Sequence, residues 1–408
     1  MGRQYERYVY LAAGTLIMLF VGLIYAWSIF RAPFSEIFPS WTVPDLSRTF
    51  TISIIFFCLG GFTSGRLTLI LKSRTIVHIA ALLLAGGFFL VSRLDPLQPE
   101  QSLRKLYIFY GVFCGLGVGM GYNSVISAII KWFPDKPGTA SGALLMAFGF
   151  GGLVLGSLVN VLINENGLFL TFFILAIAAL IVLFLCSFLV RAPQAPPAAA
   201  VSEAPLKREY APLQMIRTPL FWIWFVWNII LSSAGLLAIN SAAAITAFYG
   251  APAVLGLLVS VSNGAGRFLF GGLVDKFGRR KVMNASCTIM LASGICLYTG
   301  AVLHNILFIV SGLLFIGLTY GSSPSISSVN INSFFGPKNF PVNFSIHNFL
   351  LIPSAIAGPT ISSIMQERSG GEYYSTFILI ITMALAAFII SEISNRAANS
   401  LLNKRPHP

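Results

Sequence analysis

Twelve apolar runs, each near twenty residues, dominate this 408-residue chain and leave few folds open to it: 8–30, 46–65, 75–92, 107–130, 139–163, 167–190, 218–239, 253–274, 283–303, 306–330, 341–365 and 373–394. A bilayer core of ~30 Å is crossed by about 20 helical residues at 1.5 Å each. Every backbone polar group must be satisfied inside the bilayer, so each run is read as a helix. A membrane barrel would instead alternate apolar and polar residues over ~10-residue stretches, and these runs do not. Only 10% of residues are charged against 56% apolar, far from the ~25% charge of a soluble domain. The predicted fold is therefore an all-α membrane protein with twelve transmembrane helices. The seventh run is expected to continue as helix to about Tyr249, and the third is short.

Basic residues set the expected orientation. Twelve spans put both termini on one side, and the termini and loops on that side carry nineteen Lys and Arg against six on the other. By the positive-inside rule both termini are cytoplasmic. The net charge of +13 mostly records this asymmetry; no basic run with interleaved aromatics lies outside the apolar runs, so nucleic acid is not an expected partner. The first run is too long for a signal-peptide core and lacks a small-x-small cleavage site, so it is expected to be retained. Cys58, Cys114, Cys186, Cys287 and Cys296 all fall inside predicted helices with no CxxC pair, which supports neither a disulfide framework nor a metal site.

The hydropathy breaks once, over residues 191–217, where Pro, Ala and mixed charge read as a flexible linker with a short surface helix near Pro212–Arg217. Residues 1–190 then form an N-terminal six-helix bundle and 218–408 a C-terminal one with a short cytoplasmic tail. The halves echo each other: Lys131–Gly142 after the fourth run parallels Asn332–Asn343 after the tenth. Two pseudo-symmetric bundles of this kind place a substrate site near the midplane.

Arg267 is the one Lys or Arg set well inside a span, with no Asp or Glu beside it there; the nearest in sequence, Asp275, is at the end of the run. A guanidinium at membrane depth costs at least ~2.5–3.5 kcal/mol on insertion scales and normally faces a cavity with a partner. The missing anion is read as the cargo. Pairing with helix carbonyls or with Asn263, one turn away, is the structural alternative.

Gly271, Asp275, Lys276, Gly278, Arg279, Arg280 and Lys281 reproduce, in spacing, the G-x-x-x-D-[RK]-x-G-R-[RK] loop between spans eight and nine of the major facilitator superfamily. A copy after the second span, Gly60–Arg66, is degenerate and lacks the Asp. The chain resembles that superfamily, in which this loop is a conformational motif rather than a substrate contact. More narrowly it resembles the oxalate/formate antiporter family and, at greater distance, monocarboxylate transporters, through Tyr25-Ala26-Trp27-Ser28, Gly119-Met120-Gly121-Tyr122, Trp132–Gly138 and Asn263-Gly264-Ala265-Gly266-Arg267. The resemblance implies that Tyr25, Tyr122 and Arg267 line the substrate cavity. It also marks a departure. The oxalate-handling members pair the span-eight arginine with a span-eleven lysine. Here Leu351 stands at that place, and residues 341–365 hold no Lys or Arg. Tyr320 stands where those members have tryptophan, and Pro324 where they have tyrosine.

One fixed positive charge matches one carboxylate through a bidentate fork, whereas a dianion leaves a charge unpaired in low dielectric. A small monocarboxylate of the formate, lactate or pyruvate type is therefore the expected cargo, moved by proton symport or anion exchange. The alternatives are an oxalate/formate-type dicarboxylate exchanger and a transporter-like sensor of organic anions; a carrier of neutral solutes would need a carboxylate near Arg267. Tyr25 and Tyr122 are candidate hydroxyl donors, Asn263 a candidate to orient Arg267 or touch cargo, and Tyr320, Trp27 and Phe148 candidate cavity walls, each of which packing alone would also explain. His347 is a candidate proton carrier, with a neutral packing histidine as the bland reading. The run Gly115-x-Gly117-x-Gly119-x-Gly121 lies in a membrane helix with the wrong spacing for a nucleotide fingerprint, and is read as close helix packing. No ATPase motif, paired carboxylates or Ser/His/Asp set points to primary pumping or to an enzyme, and no cofactor is expected. The protein is expected to work as a monomer in the cytoplasmic membrane.

Overall fold

The computed structural model describes residues 2–193, 209–368 and 372–403. Twelve helices in it are long and apolar enough to cross a bilayer: α1 Tyr5–Ile37, α2 Pro44–Leu67, α3 Ser73–Val91, α4 Pro99–Trp132, α5 Pro137–Asn166, α6 Leu168–Ser187, α7 Pro219–Ile239, α8 Leu255–Phe277, α9 Arg279–Val302, α10 Ile306–Phe335, α11 Phe340–Ser362 and α12 Tyr374–Asn399. No strand occurs among the described residues.

Several helices outrun their apolar runs. α4 begins eight residues early with Pro99–Leu106, a polar first segment carrying Arg104 and Lys105. The last helix continues to Asn403 and the seventh to Phe248, close to the expected limit of Tyr249. Hydropathy reports the hydrocarbon thickness, whereas the backbone ladder runs on into polar surroundings wherever capping permits. At the start of α2, Thr42 and Asp45 form a capping box behind Pro44; the Thr42 hydroxyl donates to the Asp45 carboxylate at 2.6 Å. The short helix expected near Pro212–Arg217 is Pro212–Ile216. Most of the linker, residues 194–208, and the end of the tail, residues 404–408, lie outside the described residues.

Contacts divide the chain into two compact units. Unit 1 comprises Met1–Leu206 together with Pro337–Asn348, the first half of α11 and its approach. Unit 2 comprises Lys207–Gly336 and Phe349–Pro408.

Inside unit 1, the alternate glycines of α4 do what their spacing predicts. A Cβ on Gly115 would meet the Ser53 carbonyl at 2.7 Å, and one on Gly119 would overlap the Phe57 carbonyl; both belong to α2. A Cβ on Gly117 would come within 2.9 Å of the Ala80 carbonyl of α3. Positions 115 and 119 share one helix face and 117 lies on the opposite one, so glycine clears both sides of α4. A second packing core holds Trp27, Phe30, Phe34, Tyr110 and Phe172, the Trp27 ring lying 4.6 Å from Tyr110 and the Phe30 ring 4.6 Å from Phe172.

Inside unit 2, α8 and α10 approach backbone to backbone. A Cβ on Gly266 would fall 2.5 Å from the Leu318 carbonyl, and one on Gly321 would overlap the Asn263 carbonyl and reach the Arg267 nitrogen at 2.8 Å. Small residues substitute for a hydrophobic driving force, which is weak between helices in lipid. One residue joins α8 to α9: Gly278, whose φ of +78° suits glycine.

Candidate functional site

Unit 2 fixes Arg267 on the α8 face that meets α10. The side chain is 3% exposed, which rules out a lipid-facing guanidinium. Its Nε donates to Asn263 Oδ1 at 3.4 Å, the i−4 geometry that the sequence spacing predicts. Its own carbonyl accepts from the Ser325 hydroxyl of α10 at 2.6 Å. Pro324 lies inside α10 one residue earlier, where it removes a ladder N–H and loosens the local helix geometry. Asn263 is itself 6% exposed. Asp275 is eight residues from Arg267, about 12 Å along a helix. Tyr320, 4% exposed, packs its ring on Gly235 of α7, where a Cβ would overlap it.

A polar network on α7 and α10 adjoins this region. Asn228 Oδ1 accepts from Ser323 at 2.7 Å and from Ser327 at 2.9 Å, and its amide donates to the Trp224 carbonyl at 2.9 Å. All three side chains are buried.

Unit 1 collects the aromatic candidates. Phe148 of α5 meets Tyr25 of α1 edge to face at 5.2 Å and Tyr122 of α4 at 4.8 Å. Phe57 of α2 closes the group at 5.2 Å from Tyr122, and Phe344 of α11 stacks on Tyr122 at 6.2 Å and 12°. Tyr25 is half-buried; the others are buried. Trp27 is not brought to this group. Its indole N–H donates to the Leu46 carbonyl at 3.0 Å and its ring packs on Tyr110 and Phe34. A two-residue offset on a helix rotates a side chain by about 200°, so Tyr25 and Trp27 serve different surfaces. His347 is fully buried within unit 1.

The residues of the α8–α9 motif bind unit 2 together. Arg279 lies with its guanidinium carbon 4.6 Å over Phe334 and donates to Asn395 Oδ1 at 3.5 Å. Arg280 pairs with Glu392 at 3.2 Å, and Asn284 donates to the same carboxylate. Gly271 is buried in α8 and Asp275 half-buried near its end.

Sequence reasoning missed Phe57, Phe344 and Asn123. The two phenylalanines carry no signal among 35 of their kind. Asn123 does: a carboxamide in the middle of a membrane helix is costly and asks for a partner.

A model of the major facilitator superfamily matches residues 9–351 and 231–399. The chain belongs to the major facilitator superfamily. It is 26% identical over 342 residues to an uncharacterized MFS-type transporter, YhjX, of Escherichia coli K12, covering 82% of each chain. It is 24% identical over 396 residues to the oxalate:formate antiporter of Oxalobacter formigenes, covering 94% of this chain and 92% of that one. The Escherichia coli fucose:proton symporter FucP superposes with a TM-score of 0.70 at 13% identity over 94% of this chain and 97% of that one, a likeness of fold alone. The protein is thus a multi-pass membrane transporter of that superfamily.

Proposed function

We propose that this transporter carries a small monocarboxylate anion of the formate, lactate or pyruvate type across the cytoplasmic membrane by alternating access, with both termini cytoplasmic. The observation that carries the reading is the burial of Arg267 in α8, 3% exposed and steered by Asn263. A permanent cation at that depth is retained where an anion is to be held. Tyr25 and Tyr122 are the proposed hydroxyl donors and Phe148 the wall beside them; Tyr320, whose ring packs on Gly235, is the proposed wall in unit 2. Trp27 is left to packing.

Charge matching selects the class of cargo. Residues 341–365 contain no Lys or Arg, so α11 adds no second fixed charge. A monoanion neutralises Arg267, while oxalate would bring a second charge into low dielectric. Moving one net charge against the membrane potential costs about 2.3 kcal/mol per 100 mV, so a monoanion gains from an accompanying proton or an exchanged anion. Likeness to the oxalate:formate antiporter over 94% of the chain favours a second reading, exchange that includes a dianion.

Counterflow in proteoliposomes with labelled formate, lactate, pyruvate and oxalate, at two pH values, separates the two. Accumulation of monocarboxylates with oxalate excluded supports the first reading. Oxalate driving counterflow as well as formate overturns it. A pH-dependent rate lost in His347→Gln would assign the proton to that buried imidazole.

A further inference from the structure

We propose that the turn between α2 and α3, residues 68–72, is a docking surface for anionic phospholipid. Leu69 and Ile70 enter the headgroup layer of the leaflet, and Arg66, Lys72 and Arg74 hold lipid phosphates around them. Turns are normally built from Gly, Pro, Asn, Asp and Ser. This one reads Thr68-Leu69-Ile70-Leu71-Lys72, with Leu69 62% and Ile70 78% exposed. The backbone imposes that exposure. The Leu69 N–H donates to the Arg66 carbonyl at 3.1 Å, and the Ile70 and Leu71 N–H groups donate to the Leu67 carbonyl at 3.0 and 2.7 Å. On the other side of the turn, Leu67 and Leu71 pack against a buried group of Ile76, Ala80 and Met120. Turning Leu69 and Ile70 inward would pull those two leucines out.

The turn also lies at the right depth. The apolar run of α2 ends at residue 65 and that of α3 begins at 75. Leu69 stands four residues beyond the first, ~6 Å of helical rise, and the headgroup layer adds ~5–8 Å to each side of the hydrocarbon. Arg74 marks the same level, its guanidinium carbon 3.7 Å over the ring of Phe188 just past the end of α6. Ile181, Leu185 and Phe188 form one exposed apolar row at helical spacing, which is the lipid face of α6. Arg74 sits where that face ends.

Charge selects the lipid. No Asp or Glu occurs between Asp45 and Asp95. Arg66, Lys72 and Arg74 are exposed, and among the described residues no carboxylate meets any of them. The matching loop of unit 2 is built differently: Arg279 donates to Asn395 and Arg280 pairs with Glu392, so its cations are engaged within the protein. Aliphatic side chains ringed by uncompensated cations are the arrangement of an interfacial anchor for anionic lipid. The phosphate must carry its acyl chains, because Leu69 and Ile70 add affinity only where hydrocarbon lies beside the headgroup.

Two measurements test this, and neither uses cargo, so the outcome is independent of the proposed freight. In the full chain with its five native cysteines replaced by alanine, Ile70→Cys carries an NBD fluorophore in liposomes of phosphatidylcholine and phosphatidylglycerol. A nitroxide on the acyl chains of one lipid or the other reports which stands beside the turn. Quenching should favour phosphatidylglycerol over its bulk share by about fivefold or more at low salt, the weight of at least one basic residue at an anionic surface, and the preference should shrink at high salt. Arg66→Gln, Lys72→Gln and Arg74→Gln together should abolish the preference while both lipids still quench. Arg104→Gln with Lys105→Gln, in the polar start of α4, should leave it intact. The second measurement needs no label. Phosphatidylglycerol should raise the melting temperature of the purified native chain more than phosphatidylcholine does, and the triple Gln variant should lose the difference. Equal quenching by the two lipids, stronger quenching by aqueous iodide than by either, or a preference that survives the triple substitution overturns the proposal. So does an equal thermal shift from glycerol phosphate without acyl chains, which would make the turn a site for a soluble anion.

Discussion

Replacing Arg267 separates charge from shape at the proposed anion site. The guanidinium is 3% exposed and its Nε donates to Asn263 Oδ1 at 3.4 Å; the proposed cargo contact is a carboxylate held by the guanidinium fork. Hydrogen bonds involving a charged group contribute ~1.5–3 kcal/mol each, so two of them to cargo give ~3–6 kcal/mol. At 1.4 kcal/mol per decade, Arg267→Ala should weaken binding by at least about a hundredfold and in practice abolish uptake. Arg267→Lys keeps the charge but loses the fork and the Nε contact. It should lose about one such bond, a rise in KM of roughly ten- to a hundredfold, with oxalate and formate affected alike. The assay is counterflow of labelled formate in proteoliposomes, paired with a thermal melt of each purified variant to show that the protein is folded. Wild-type uptake by a folded Arg267→Ala would falsify the assignment. Equal uptake by Arg267→Lys and wild type would show that charge alone, without the fork, is enough.

Asn263→Ala should raise KM by about two- to fivefold, the effect of one long hydrogen bond that orients rather than binds; a change as large as that of Arg267→Ala would make Asn263 a direct cargo ligand. Tyr122→Phe retains the ring contacts to Phe148 and Phe57 and removes the hydroxyl, so a several-fold rise in KM at unchanged melting temperature is expected, whereas Phe148→Ala should lower both. A glycine pair tests the packing argument: Gly119→Ala forces α4 off the Phe57 carbonyl and should cost about 1–3 kcal/mol, read as a lower melting temperature. Gly86→Ala in α3, with nothing within 4 Å of the new methyl, should stabilise by up to about 1 kcal/mol.

Much of the architecture was legible in one dimension because the bilayer imposes a single length scale. The twelve apolar runs recur as α1 to α12, and the alternate glycines of α4 could be assigned to packing from their spacing. The i−4 relation of Asn263 to Arg267 was likewise readable from helical periodicity. The polar start of α4 was not, since Pro99–Leu106 is helical without being apolar. Nor was the separation of Trp27 from Tyr25. Both are aromatic residues of one span, and only the surrounding rings reveal that Trp27 packs with Tyr110 while Tyr25 joins Phe148 and Tyr122.

What the amino-acid order determined by itself is the number of spans, the family motif between α8 and α9, and the placing of one basic residue, Arg267, well inside an apolar run, all properties of hydropathy and local spacing. What only the tertiary structure decided is which side chains meet. Asn123 bridges two carbonyls that lie 280 positions apart in sequence, residues 61 and 341. Phe344 finds Tyr122, and the first half of α11 leaves its neighbours in the chain to pack in unit 1. Long-range pairings of that kind depend on how helix faces rotate and approach within a solvent that rewards close packing and satisfied polar groups. No local pattern records them.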